Sequence, residues 1–183
     1  MDVEQAIELY LSNTHEQWSE NQTVFDLTKT SSRSPYTPGN AQITRVELLD
    51  KDSSLYRPGA KIRMCLRVQT KKAFEELHLR LELRTRDETP VGTMADVLLG
   101  SCGENADQEY VVEFDPISLT GGRYRLDMVL FEKDDCGNSF DQELLLPAFY
   151  FEVQEPEDIV WNQANWGHIR FPVAKVLPRG REE

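Results

Sequence analysis

The chain is short of cysteine, of long apolar runs and of positive charge, and each shortage removes a class of protein. Cys65, Cys102 and Cys136 are an odd set with no CxxC spacing. No disulfide framework can be read from them, and free thiols suit a reducing compartment. The three histidines, His15, His78 and His168, lie far apart, so neither set has zinc-ligand spacing. No apolar run approaches the ~18–20 residues of a membrane helix. Met1-Asp2-Val3-Glu4-Gln5 has neither the basic start nor the apolar stretch of a signal peptide. Lys and Arg number 20 against 32 Asp and Glu, a formal net charge of −12. That is the wrong sign for neutralising the phosphates of duplex nucleic acid.

Catalytic signatures are missing as well. No G-x-x-x-x-G-K-[ST] is present and no glycine cluster precedes a helix, so nothing cradles a nucleoside triphosphate. There is no G-x-S-x-G and no H-E-x-x-H. Cys136 follows Asp134-Asp135, whose carboxylates disfavour a thiolate nucleophile. Asp50-Lys51-Asp52 has half of a metal-binding D-x-D pattern, but Leu55 stands where a calcium loop needs glycine. A turn whose aspartates bond the backbone is the better reading. Paired carboxylates for glycoside hydrolysis have no motif behind them. The chain is therefore read as a non-enzyme with no cofactor and no metal.

What remains is a chain of 183 residues, 39% hydrophobic, enough for one medium domain with a sizeable core. Asp2 and Gln5 resemble a capping box, and Val3, Ala6, Ile7, Tyr10 and Leu11 recur at helical spacing, which predicts a short N-terminal helix. Residues 12–40 are rich in Ser, Thr, Asn and Gln and end at Pro35 and Pro38-Gly39. They read as a polar linker that docks locally through Trp18, Val24, Phe25 and Leu27. The domains expected are thus a helix and linker over 1–40, a sandwich over 41–178 and a tail over 179–183.

From residue 41 the hydrophobic period is two. Ile62, Met64, Leu66 and Val68 share one strand face, as do Leu77, Leu79, Leu81 and Leu83. Tyr110, Val112 and Phe114 follow the same rule, then Tyr124, Leu126, Met128 and Leu130, then Phe149, Phe151 and Val153. Weaker strand signals lie at 42–49, 91–99 and 167–176. Turn signals at 57–59, 87–90, 100–105, 121–122 and 134–138 separate the runs. Six to eight such strands without room for crossover helices predict an all-β, antiparallel β-sandwich of immunoglobulin-like or jelly-roll type.

The polar sides of the strands are the informative part. Residues 61–86 hold eight bases against three acids, a surplus of +5, whereas 87–119 and 134–165 each hold eight acids and no base. The strand at 76–85 turns His78, Arg80, Glu82 and Arg84 outward, and the strand at 123–131 turns Arg123, Arg125 and Asp127 outward. If the two share a sheet, as the third and sixth strands of immunoglobulin-like sandwiches do, they form one surface. Arginine forks beside carboxylate acceptors suit sugar hydroxyls and carboxylates, and Tyr150 offers a stacking platform. The competing reading is a set of cross-strand ion pairs on a solvated face. Arg63 and Arg67 are expected on the other sheet.

Several segments resemble one known family. They are Gln42-Ile43-Thr44-Arg45-Val46-Glu47-Leu48-Leu49-Asp50, Tyr56-Arg57-Pro58-Gly59, Gly121-Gly122-Arg123-Tyr124-Arg125-Leu126-Asp127, Ala148-Phe149-Tyr150-Phe151-Glu152-Val153 and Gly167-His168-Ile169-Arg170-Phe171-Pro172. Together they resemble the C-terminal carbohydrate-binding domain of Wzt-type ABC transporter ATPases. Asp2 to Tyr10 resembles the helix that leaves the ATPase domain there, and the ATP-binding half is missing from this chain. The resemblance implies a cytoplasmic module at the inner face of the inner membrane, not embedded in it and binding no nucleic acid. It implies recognition of the modified non-reducing end of O-antigen polysaccharide for export, with the transporter's nucleotide-binding and membrane subunits as partners. It implies a homodimer, whose C-terminal strand either exchanges between protomers or stays as an edge strand of its own chain. The family's pocket residues do not transfer, so the carbohydrate-binding candidates are the strand-derived His78, Arg80, Glu82, Arg84, Arg125, Asp127 and Tyr150. A protein-interaction sandwich that binds no glycan is the alternative.

Overall fold

The computed structural model describes residues 21–116, 118–155 and 160–171. The expected N-terminal helix and C-terminal tail lie outside these residues. The described residues form nine strands: β1 (Val24–Asp26), β2 (Ala41–Leu48), β3 (Leu55–Tyr56), β4 (Ile62–Thr70), β5 (Phe74–Thr85), β6 (Pro90–Cys102), β7 (Asp107–Phe114), β8 (Gly122–Lys133) and β9 (Ser139–Val153). They make a four-stranded sheet, β1-β2-β4-β7, and a five-stranded sheet, β3-β9-β8-β5-β6. One hydrophobic cluster fills the space between them: Ile43, Val46, Ile62, Met64, Leu66 and Val68 from the first sheet meet Leu77, Leu79, Leu81, Leu126, Met128 and Phe151 from the second. This is a sandwich in the immunoglobulin manner, with β5 and β8 side by side in the larger sheet. All pairings are antiparallel except the short one between β3 and β9, which is parallel.

The alternation seen in the sequence produces these faces directly. Along β4 the burial alternates residue by residue, with Ile62, Met64, Leu66, Val68 and Thr70 buried. Strands with weaker signals carry bulges. In β2 a bulge at Thr44 moves the buried set from Ala41 and Ile43 to Val46 and Leu48, because an inserted residue reverses the side-chain phase. In β6 the pairing slips between Leu79–Val97 and Leu81–Met94, so its inward residues Val91, Met94 and Val97 recur every three.

Residues 21–40 hold more of the fold than a docked linker would. β1 pairs with β2, and Phe25 and Leu27 are buried in the core. Residues 32–39 run along the first half of β9, through Ser34 N to Leu144 O, Leu146 N to Ser32 O and Gly39 N to Gln142 O. β3 covers the other end of β9. Pro147, which has no N–H to offer, sits between the two covers, and the bond before it is cis.

At the far end, before the expected last strand, lies one helical turn, α1 (Gln163–Trp166), capped by the Asn162 side chain. Ile169 bridges to Leu119; residues 172–176 of the expected last strand lie outside the described residues. Gly121 is required here. A Cβ at this position would come within 2.6 Å of the Glu155 Cα, and Gln163 Nε2 donates to the Gly121 carbonyl at 2.5 Å.

Candidate functional site

Register brings the seven expected residues onto one face. His78, Arg80, Glu82 and Arg84 lie opposite Phe131, Val129, Asp127 and Arg125, and Arg125 lies opposite Tyr150 on β9. All point away from the core, as alternation with Leu77, Leu79, Leu81, Leu83, Leu126 and Met128 requires. Arg63 and Arg67 are on β4 in the other sheet.

The face differs from the open arginine surface expected. His78, Arg125 and Asp127 are buried, and Asp127 has no accessible surface. The reason is that β8 is central: Arg80, Arg84, Glu82 and Tyr150 from its neighbours fold over it. Asp127 Oδ2 accepts from Arg125 Nη2 at 2.9 Å and lies 3.0 Å from Arg84 Nε. Glu82 lies between Arg80 (2.8 Å) and Arg84 (3.2 Å). Arg125 Nη1 reaches Glu88 at 2.8 Å. Further along, His78 stacks on Phe131 with ring centroids 5.2 Å apart, and its Nδ1 contacts Asp96 at 2.7 Å. Lys133 also pairs with Asp96. Candidate sugar ligands and ion-pair partners are thus the same atoms.

Burial pushes the Asp127 carboxyl above its usual range, against the pull of Arg125 and Arg84. Burial also lifts Glu82, but bonds from Arg80 and Arg84 outweigh it and hold the group below its ordinary value. Arg125 is pushed down by burial and more than restored by Asp127 and Glu88. Asp127 Oδ1, Arg84 Nε and Arg125 Nε are buried without a hydrogen-bond partner, so capacity remains beside the cluster.

Tyr150 has a second environment. A cleft of about 770 Å³ runs between residues 25–32 and Pro147–Tyr150, lined by Asp26, Thr28, Lys29, Thr30, Ser31 and Ser32 with Phe25, Phe149 and Tyr150. Hydroxyls and a lysine beside aromatic faces can hydrogen-bond and stack on a sugar ring. A smaller groove of about 370 Å³ lies beyond β1, between Asp26, Thr28, Thr44, Arg45, Arg67 and Gln69. The polar run 28–32 escaped the sequence reading because linkers and binding loops share a composition. Its Thr and Ser content beside the anchor Phe25 was the available signal.

Among the described residues, no group of three or more His, Cys, Asp or Glu side chains could hold a metal ion. Asp50 sits in a left-handed turn, and its carboxylate pairs with the Arg63 side chain rather than with the backbone as expected. The cysteines are free, with Cys102 buried and Cys136 exposed. No described helix is long and apolar enough to cross a membrane.

A family model described as the Wzt C-terminal domain matches residues 32–166. The crystal structure of the C-terminal domain of Wzt superposes with a TM-score of 0.62 at 11% identity, covering 82% of this chain and 92% of that one. At that identity the likeness is one of fold. Pseudomonas fluorescens alkylpurine DNA glycosylase AlkC, bound to DNA containing an abasic site analog, reaches 0.44 at 13% identity, over 63% of this chain and 31% of that one. A CARDB domain from Pyrococcus furiosus reaches 0.36 at 11% identity, over 63% and 94%. A search of curated protein sequences found no match.

Proposed function

Since the chain belongs to the Wzt C-terminal domain family, we propose that it is a non-catalytic module that binds the modified non-reducing end of an O-antigen polysaccharide for export by an ABC transporter. The observation that carries this reading is the polar cleft ending at Tyr150, whose strand neighbour Arg125 begins the arginine–carboxylate cluster. A sugar stacked on Tyr150 would meet hydroxyl and ammonium donors on one side and guanidinium and carboxylate groups on the other. In this reading the transporter's nucleotide-binding and membrane subunits are the partners, the module works at the cytoplasmic face of the inner membrane, and it acts as a homodimer.

Of the seven candidate residues, Tyr150 is the one to mutate first. Arg125→Ala would strand the buried Asp127 carboxylate and unsettle the sheet. Tyr150→Ala removes a half-buried ring and leaves those pairs in place. The expected outcome is a loss of affinity for end-modified polysaccharide of about tenfold or more, given ~1–2 kcal/mol for an aromatic contact. Calorimetry with end-modified and unmodified polysaccharide from the same strain measures it. Equal binding of the two polysaccharides would refute end recognition, and unchanged affinity in the variant would refute the site.

A further inference from the structure

We propose that the Glu88 carboxylate is the resident occupant of an anion subsite on Arg125, and that an acidic group of the ligand, a carboxylate or a phosphate, displaces it. The identity of that ligand as a glycan rests on the reading above.

Charge is the first argument. Glu82 pairs with Arg80 and Arg84, and Asp127 Oδ2 contacts Arg84 and Arg125, so three guanidiniums share two carboxylates. Glu88 comes from outside the sheet to balance them. Its side chain is 68% exposed, while that of Arg125 is 10% exposed. The pair is therefore a buried cation whose outward nitrogen is covered by a mobile-length, water-accessible acid. Asp127 holds the guanidinium by Nη2 at 2.9 Å, which leaves Nη1 turned to Glu88 at 2.8 Å.

Backbone conformation is the second argument. Among the described residues, three non-glycine residues have positive φ: Asp50 at 59°, Glu88 at 70° and Asn105 at 53°. Asp and Asn tolerate the left-handed region because their short side chains bond locally; glutamate has no such excuse. The turn is closed around it by Glu88 N to Thr85 O (3.1 Å) and Thr85 N to Thr89 O (2.9 Å). A glycine would satisfy this turn at lower strain. Glutamate at this position delivers a carboxylate to Arg125 instead.

Displacement follows from relative strengths. Glu88 is the exposed half of the pair and can turn to water, so an incoming anion that supplies Arg125 with an acid in its place, and brings further contacts, can replace it. A guanidinium fork donates to carboxylate or phosphate oxygens with equally good geometry. A neutral sugar cannot displace Glu88 without leaving Arg125 Nη1 without an acid, so Glu88 acts as a filter against uncharged ligands. Tyr150, opposite Arg125 in register and lining the cleft, gives the ligand its approach.

The test titrates the full chain with methyl phosphate, D-glucuronate and neutral methyl glucoside at low ionic strength, following backbone amide shifts by NMR. Wild type, Glu88→Gln and Glu88→Gly are compared, with melting curves to confirm folding. The expected result is that both variants bind the anions about two- to fivefold more tightly than wild type, with shifts centred on residues 84–90 and 123–127 and no gain for the glucoside. A gain for phosphate alone or glucuronate alone supports the subsite and names its acid. Equal affinity in wild type and both variants, or shifts confined to Arg45 and Arg67, would overturn it. If the gain appears but no polysaccharide binds, the subsite stands and the glycan reading falls. If polysaccharide binds through Tyr150 and the variants gain nothing, the reverse holds.

Discussion

Glu143 has no accessible surface, yet it accepts from Arg33 Nε at 2.5 Å and from the Ile43 amide at 2.6 Å. Arg33 also donates to the Ile43 carbonyl at 2.9 Å. One acid and one base thereby clasp β9 to β2 across the edge of the sandwich. Burial raises the Glu143 pKa in spite of both bonds. For an acid whose folded pKa lies above its unfolded value, the group's contribution to stability is greatest below the unfolded pKa and declines as pH rises through the folded one. Arg33→Ala should therefore cost about 3–5 kcal/mol at pH 8, and clearly less at pH 5, where the stranded carboxyl can take a proton. Urea unfolding at the two pH values measures this; an equal loss at both would refute it. Tyr124 is a second fixed point. Its hydroxyl donates to the Thr120 carbonyl at 2.8 Å, four residues upstream, in the manner of the tyrosine corner of immunoglobulin-like domains. Tyr124→Phe should lower stability by about 1–2 kcal/mol, read by the same unfolding assay. Neither bond was legible in the sequence, since Arg33 sat in an apparent linker and Tyr124 read only as a core position.

The strands that read clearly are those with unbroken alternation, β4, β5 and β8. Those that read weakly, β2 and β6, have bulges that reset the phase, so a period-two pattern fades even though the strand is present. β8 also shows the limit of the pattern. Every residue from Tyr124 to Phe131 is buried, although Arg125 and Asp127 looked like solvent-facing positions. Alternation assigns a side chain to a face; the reach of neighbouring side chains decides whether that face is wet. The Gly121-Gly122 pair read as a turn signal, and the turn needs it for contact as well as conformation. Gly121→Ala should destabilise by about 1–3 kcal/mol, because its Cβ would meet the backbone of Glu155 rather than a side chain that can swing away. A melting temperature unchanged in this variant would show that residues 155–163 move aside freely.

Across the whole molecule, the charge blocks that are separate along the chain meet in space. Basic β4 lies against acidic β7, pairing Lys61 with Glu113 and Arg67 with Asp107. Lys72 meets Glu132, and Arg80 approaches Asp141. The basic stretch at 61–86 is thus largely neutralised by its neighbours. Affinity for an acid then depends on particular exchangeable pairs rather than on a broad positive field. The same scale sets the stable unit. Phe25, Leu27 and Arg33 belong to the sandwich, so we place its start before residue 24 rather than at 41. A chain beginning at residue 41 should lose at least about 3 kcal/mol relative to one beginning at residue 21, since burying the Phe25 and Leu27 side chains alone contributes ~1.5–3 kcal/mol each. Equal denaturation midpoints for the two would restore the boundary at 40.

The sequence by itself determined the two-layer all-β class, the inward residues of the unbulged strands and, strand by strand, that His78, Arg80, Glu82, Arg84, Arg125, Asp127 and Tyr150 turn outward; that their strands are neighbours in one sheet came from the fold. The inward and outward assignments follow from local periodicity, which each strand carries within itself. Only the tertiary structure decided which charges neutralise one another, that Asp127 and Glu143 are sealed from water, and that a cleft opens beside Tyr150. Pairing, burial and cavities depend on which distant segments come together, as Arg33 meets Glu143 across 110 positions, and no local pattern records that distance.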